Sequence, residues 1–132
     1  MPWMEVTMPK RENEIKEGLV KRLNQEFIDA TGFEEEILYI RLSEFERTDA
    51  GAAGQLAGVA GVAHVVLYCP RMRFDVKRLV VSGITNAFQG TDAKPLVHIL
   101  EFPYENIGVD GRLLTDTDDE LASRPYYYVL PR

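Results

Sequence analysis

Apolar residues recur at every fourth position in two stretches of the chain: Ile15, Leu19, Leu23 and Phe27, and then Val76, Val80, Ile84 and Phe88. On a helix that spacing keeps the side chains on one face, so each stretch is predicted to be an amphipathic helix. Val20 widens the first stripe, and Glu12, Lys16, Lys21 and Gln25 are left to face water. Gly32 is the predicted stop, because glycine adopts a positive φ at no steric cost. Other segments follow a period of two. Trp3 to Met8 is a short run of apolar residues and β-formers that Pro9 ends. From Ile37 to Phe45 the residues alternate, with Ile37, Tyr39, Arg41 and Ser43 on one face and Leu38, Ile40 and Leu42 on the other. Val62 to Cys69 is nearly continuous apolar, as in a buried strand, and Pro95 to Phe102 is the last main strand.

Strand, helix, strand therefore occurs twice, and the two halves align. With Pro9 over Pro70, an offset of 61, Lys10 falls on Arg71, Ile15 on Val76 and Lys16 on Lys77. Leu19, Leu23 and Phe27 then fall on Val80, Ile84 and Phe88. Past the helices the offset is 57, and Glu44-Phe45 falls on Glu101-Phe102. Each unit should be a right-handed parallel crossover. Two such units predict an α/β (α+β) chain: one four-stranded sheet with both helices on one face. The other face needs a second subunit or water, and its apolar character predicts an oligomer. The boundaries are a first repeat at about 2–48, a Gly- and Ala-rich linker at about 49–61, a second repeat at about 62–112 and a C-terminal extension at about 113–132. Asp116 to Glu120 reads as a solvated acidic turn, and Tyr126 to Leu130 as a β-prone segment able to add an edge strand to a neighbouring subunit.

The length of 132 residues suits one domain, and 45% apolar content is enough for a core. A formal net charge of -6 argues against broad nucleic-acid binding but leaves room for a small basic pocket. Cys69 is the sole cysteine, which excludes an internal disulfide and fits a reducing, cytoplasmic setting. The start of the chain has no signal-peptide pattern, and no apolar run reaches the length of a membrane helix. His64 and His98 read as structural groups, and no Cys/His spacing suits zinc.

Three features carry a resemblance to a known family. Met1-Pro2 permits removal of Met1, which would expose the proline as the first residue. Arg71-Met72-Arg73 stands between the third strand and the second helix. Glu101-Phe102-Pro103 is followed by Gly111-Arg112-Leu113. With the two β-α-β units, these features resemble the tautomerase superfamily. Within it, the chain looks like a fused two-repeat member similar to malonate semialdehyde decarboxylase and cis-3-chloroacrylic acid dehalogenase. The resemblance implies the tautomerase fold, a homotrimer with pockets near subunit contacts, no cofactor or metal, and a small carboxylate as substrate. It implies Pro2 as the catalytic residue, and Arg71 and Arg73 as its carboxylate-binding partners. Ala63 occupies the Pro2-equivalent place of the second repeat, so only the first repeat carries the amine.

The chemistry behind that implication is general. A secondary amine freed at the N-terminus has an ordinary pKa of roughly 8, and burial lowers it towards the working pH of a general acid or base. Guanidinium groups bind carboxylates through paired, charge-assisted hydrogen bonds. Less direct matches are Tyr39, nearest to a strand arginine of the simplest tautomerases, and Arg11, one position from their first-repeat arginine. Tyr39 and Phe102 are also candidate pocket walls, and Glu36 and Asp110 are candidate helpers. The chain departs from the family at two places: Val109 stands where the dehalogenase has a water-activating glutamate, and Ile37 stands at or beside the decarboxylase's aspartate. Tautomerase, hydratase or dehalogenase, and decarboxylase chemistry all remain open, as does a non-catalytic metabolite-binding or structural oligomer on the same fold.

Overall fold

The computed structural model describes residues 2–33, 38–56 and 61–117. Met1, Glu36, Ile37 and the segment Tyr126 to Leu130 lie outside the described residues. Strand β1 is Trp3–Pro9, helix α1 Asn13–Thr31 and strand β2 Tyr39–Phe45. The second unit repeats them as β5 Val62–Cys69, α2 Phe74–Ala87 and β6 Lys94–Glu101. The sheet order is β2-β1-β5-β6. Within each unit the strands are parallel, and β1 meets β5 antiparallel, with Trp3 opposite Tyr68 and Thr7 opposite His64.

Alternation along the strands decides which face is covered. Met4, Val6 and Met8 of β1 and Ala63, Val65, Leu67 and Cys69 of β5 are fully buried. They form one core cluster with Leu19, Leu23 and Phe27 of α1 and with Val76, Val80 and Ile84 of α2. Both four-residue stripes therefore face the sheet, as their spacing predicts. Gly32 ends α1 with φ 76° and donates its N–H to the Ile28 carbonyl at 2.7 Å, closing the helix by the left-handed cap that its position predicts. Among the described residues the opposite sheet face carries no helix: Thr7, Tyr39, Arg41, His64, Leu96, His98 and Leu100 are exposed on it.

The Gly- and Ala-rich stretch after β2 is more than a connection. A short 3₁₀ turn, Arg47–Asp49, leads into a hairpin of β3 Gly51–Ala52 and β4 Gln55–Leu56. Its two-residue loop has positive φ at both positions, Ala53 at 51° and Gly54 at 77°. After β6, the turn Tyr104–Asn106 leads in the same way to β7 Gly108–Val109 and β8 Arg112–Leu113. There the loop is Asp110 at φ 52° and Gly111 at φ 81°. Paired positive φ angles give the turn whose twist suits a tight hairpin. The offset of 57 runs through both hairpins, taking Gly51 to Gly108 and Gly54 to Gly111.

Two glycines in the helices should respond oppositely to alanine. At Gly83 of α2, an added Cβ would stand 3.0 Å from the Cβ of Glu26 on α1, an atom that cannot swing away. Overpacking of about 1–3 kcal/mol then outweighs the helix-propensity gain of roughly 1 kcal/mol. At Gly18 the close atoms among the described residues are the tip of the Arg22 side chain, which is exposed and can shift even though its Nε donates to the Ala87 carbonyl at 2.9 Å. Gly83→Ala should lower the melting temperature and Gly18→Ala should raise it, in thermal denaturation of each variant beside the parent. A rise for Gly83→Ala would mean that the helices are not in this close contact.

Candidate active site

Strand direction decides which candidate residues share an end of the sheet. β1 and β2 start where β5 and β6 finish, because β1 and β5 are antiparallel. One end, the amine pole, therefore gathers Pro2, the start of β2 at Tyr39, the turn after β5 with Arg71 and Arg73, and Phe102 after β6. Pro2 is buried, and its carbonyl accepts the Tyr39 N–H at 3.3 Å. Phe102 is half-buried and donates its N–H to the Cys69 carbonyl at 3.1 Å. Tyr39 is 49% exposed and stacks on Trp3, with ring centroids 5.8 Å apart. The Arg41 guanidinium lies over the same indole, 4.9 Å from its centroid. Trp3, the one tryptophan in the chain, thus walls this end beside Pro2. Its direct succession to Pro2 was the only sequence indication of that place.

Arg71 and Arg73 are both exposed in the turn that connects β5 to α2. Arg73 also engages Asp75 with two hydrogen bonds, Nε to Oδ1 and an NH2 contact to Oδ2, both at 3.1 Å. That pair is well exposed, at 66% and 64% of the side chains, so its partner can be exchanged at small cost. Between them Met72 is buried, and its backbone N–H donates to Glu101 Oε2 at 2.6 Å. Glu101 also receives Lys77 Nζ at 2.5 Å. This carboxylate fixes the turn that carries both arginines.

Arg11 belongs to the other end. The seven residues of β1 span roughly 20 Å, and Arg11 follows them. Antiparallel pairing brings the second repeat's turn to Pro2, not the first repeat's. Arg11 Nε donates to the Thr91 carbonyl at 2.8 Å, and a second guanidinium N–H donates to the Lys10 carbonyl at 2.9 Å. Within one chain it does not meet Pro2. Asp110 is likewise displaced from the extended geometry that an alternating reading requires. It is exposed at the tip of the β7–β8 hairpin with a positive φ, and the Asp-Gly pair is itself a hairpin signature.

Cys69 ends β5 fully buried, and burial pushes its thiol up to about 12, with the nearby Glu101 carboxylate adding to the rise. It is a core residue rather than a nucleophile at neutral pH. His64 Nε2 and His98 Nδ1 share a hydrogen bond at 2.8 Å on the open sheet face. Among the described residues no group of three or more His, Cys, Asp or Glu side chains is placed to hold a metal. Among the described residues no helix is long and apolar enough to cross a membrane. A groove of about 510 Å³ between α1 and β2, lined by Lys16, Val20, Lys21 and Leu42, holds none of the candidate residues.

No protein-family model matches the chain, and no curated protein matches it in sequence. Solved structures match it in three dimensions. A fused 4-OT, described as an asymmetric trimer, superposes with a TM-score of 0.74 at 24% identity, over 87% of this chain and 98% of that one. Malonate semialdehyde decarboxylase superposes at 0.70 with 14% identity, over 92% and 96%. N1, a member of the cis-3-chloroacrylic acid dehalogenase family, does so at 0.69 with 16% identity, over 92% and 99%. This is the tautomerase fold. These neighbours on the tautomerase fold bear the names of different activities, so the fold by itself does not select a reaction.

The tautomerase fold here is internally duplicated down to single atoms. In the first unit Glu44 Oε2 accepts the Arg11 backbone N–H at 2.7 Å and Oε1 meets Lys16 Nζ at 2.7 Å. In the second unit Glu101 does the same with Met72 and Lys77. The Lys16 hydrogen bond, followed by the Arg11 N–H, holds the Glu44 carboxyl below its ordinary range. A lowered folded pKa contributes stability above the unfolded carboxyl range, and that contribution is lost as pH falls through the folded value. Glu44→Gln should therefore be less stable than the parent at pH 7, with the difference vanishing in acid below both values. Urea melts at several pH values read this directly, and a gap that stays constant into acid would contradict it.

Proposed function

We propose that, once Met1 is removed, the chain is a cofactor-independent enzyme of the tautomerase superfamily. In this reading the Pro2 nitrogen moves a proton on a small 2-keto acid, enol or unsaturated carboxylate. The observation that carries the proposal is the gathering of a buried Pro2 and the Arg71–Arg73 turn at one end of the sheet. Burial favours the neutral amine, which can take the enol hydroxyl proton and return it to carbon. Arg71 binds the substrate carboxylate and draws electron density from the reacting centre. Arg73 joins it by exchanging Asp75 for substrate, and Tyr39, Trp3 and Phe102 bound the pocket. Ketonisation needs no activated water, which suits a site where Asp110 stands at an exposed hairpin tip. The site is completed in a homotrimer. The exposed Leu96, Leu100 and Tyr39 on the uncovered sheet face and the trimeric state of a fused 4-OT neighbour support this assembly.

The test uses protein with an untagged N-terminus, after intact mass has established loss of Met1. The ultraviolet decay of phenylenolpyruvate is then followed. Ketonisation above the buffer rate supports the proposal. Its absence from Met1-free protein removes generic tautomerase activity and leaves a specialised hydratase or decarboxylase, or a binding protein. Arg71→Gln should raise KM by about ten- to a hundredfold, the loss of a charge-assisted hydrogen bond to the carboxylate. An unchanged KM would remove Arg71 from the site.

A further inference from the structure

The duplication that builds the amine pole also builds its counterpart at the opposite end of the sheet. There Pro9 and Lys10 take the places of Pro70 and Arg71, and Phe45 takes that of Phe102. The Glu44 clamp sets the turn before α1 as the Glu101 clamp sets the turn before α2. Each end continues into a 3₁₀ turn and a two-residue-loop hairpin. One element is missing. Ala63, fully buried inside the chain, stands where Pro2 stands at the amine pole, and an interior residue offers no amine.

A concavity of about 280 Å³ lies at this second pole, lined by Pro9, Lys10, Arg11, Phe45, Glu46 and Arg47, with Thr48 at its edge. Its lining carries three cations and one carboxylate, with the Glu44 carboxylate just outside it on the Arg11 N–H and Lys16, in a chain whose net charge is -6. The Arg11 guanidinium is fixed by its bonds to the Thr91 and Lys10 carbonyls, which orient it without neutralising its charge. Lys10 and Glu46 approach to 3.5 Å with both side chains about two-thirds exposed, a contact that yields easily to a competing anion. Pro9 and half-buried Phe45 supply the apolar part of the lining.

We propose that this pole is a second, non-catalytic site for a small carboxylate. Lys10, Arg11 and Arg47 take the charge, and Pro9 and Phe45 take the short carbon body. The fixed Arg11 guanidinium suits a planar carboxylate, and the apolar part of the lining gives a carboxylic acid an advantage over a bare inorganic anion. The site needs no chemistry at Pro2, so it stands or falls apart from the catalytic reading.

The test is an amide NMR titration of the full chain with malonate, with inorganic phosphate in a parallel arm. It is repeated on Lys10→Gln/Arg47→Gln and on Arg71→Gln/Arg73→Gln, each checked for unchanged assembly and melting. Saturable shifts at Lys10, Glu46 and Thr48 are expected in the parent and in the Arg71/Arg73 variant. Their dissociation constant should rise about tenfold or more in the Lys10/Arg47 variant, as expected for loss of charge-assisted hydrogen bonds. Shifts confined to the Arg71–Arg73 turn would overturn the second site while leaving the amine pole intact. Phosphate binding there as tightly as malonate would overturn the assignment to carboxylates.

Discussion

Pro2→Ala is expected to slow the ketonisation of phenylenolpyruvate by about 10²–10⁴-fold, the range that a positioned general acid or base supplies. The variant still exposes an α-amino group once Met1 is gone, so the loss does not come from removing nitrogen altogether. It comes from geometry and environment. The proline nitrogen is held in a ring that continues into β1, and Pro2 is buried at the edge of the core. An alanine amine turns freely about its bond to Cα and draws in water, which restores the charged form that burial disfavours. Steady-state kinetics after intact-mass confirmation of both proteins reads the effect on kcat. Assembly and thermal melting should be unchanged, because the pyrrolidine ring is small beside the core formed by α1, α2 and the sheet. Equal kcat for the two proteins would remove Pro2 from the mechanism, whatever the fold.

Phe27→Ala should cost about 3–5 kcal/mol of stability, the usual price of emptying a fully buried aromatic site. Phe27 is 1% exposed at the end of the α1 stripe and stacks on Phe33, with ring centroids 5.5 Å apart and planes 11° from parallel. Phe33 lies just past the Gly32 cap, so the ring pair ties the chain leaving α1 back onto the helix. Truncation removes the core contact and that tie together. A domain of this size has roughly 5–15 kcal/mol in all, so the variant should sit close to the edge of folding at 37 °C. Chemical denaturation of the variant beside the parent measures the difference. A loss below about 1 kcal/mol would mean that Phe27 is not packed as described.

Much of the fold can be read from the chain because the relevant physics is local. The four-residue stripes at Ile15 to Phe27 and Val76 to Phe88 follow from helical pitch, and all of their residues except half-buried Ile15 are buried in the core cluster. Gly32 stops α1 because a left-handed cap favours glycine. The alternation from Leu38 to Phe45 gives the faces of β2, and the aligned halves give the duplication. The two hairpins were also within reach: Asp110-Gly111 is a hairpin dipeptide, and the offset of 57 carries it onto Ala53-Gly54.

What the sequence by itself determined is therefore the set of elements, their repetition and the inward-facing residues, since each depends on backbone geometry that recurs along the chain. The tertiary structure alone decided the company each candidate keeps. Arg11 and Arg71 occupy nearly matching places in their repeats. Yet one stands at the end away from Pro2 and the other at the same end, because β1 pairs antiparallel with a strand about 60 residues later. The use of Glu44 and Glu101 to fix turns across from them likewise depends on side chains brought together only when the strands pair. No local pattern encodes such contacts, because their energy is realised only once distant segments have met.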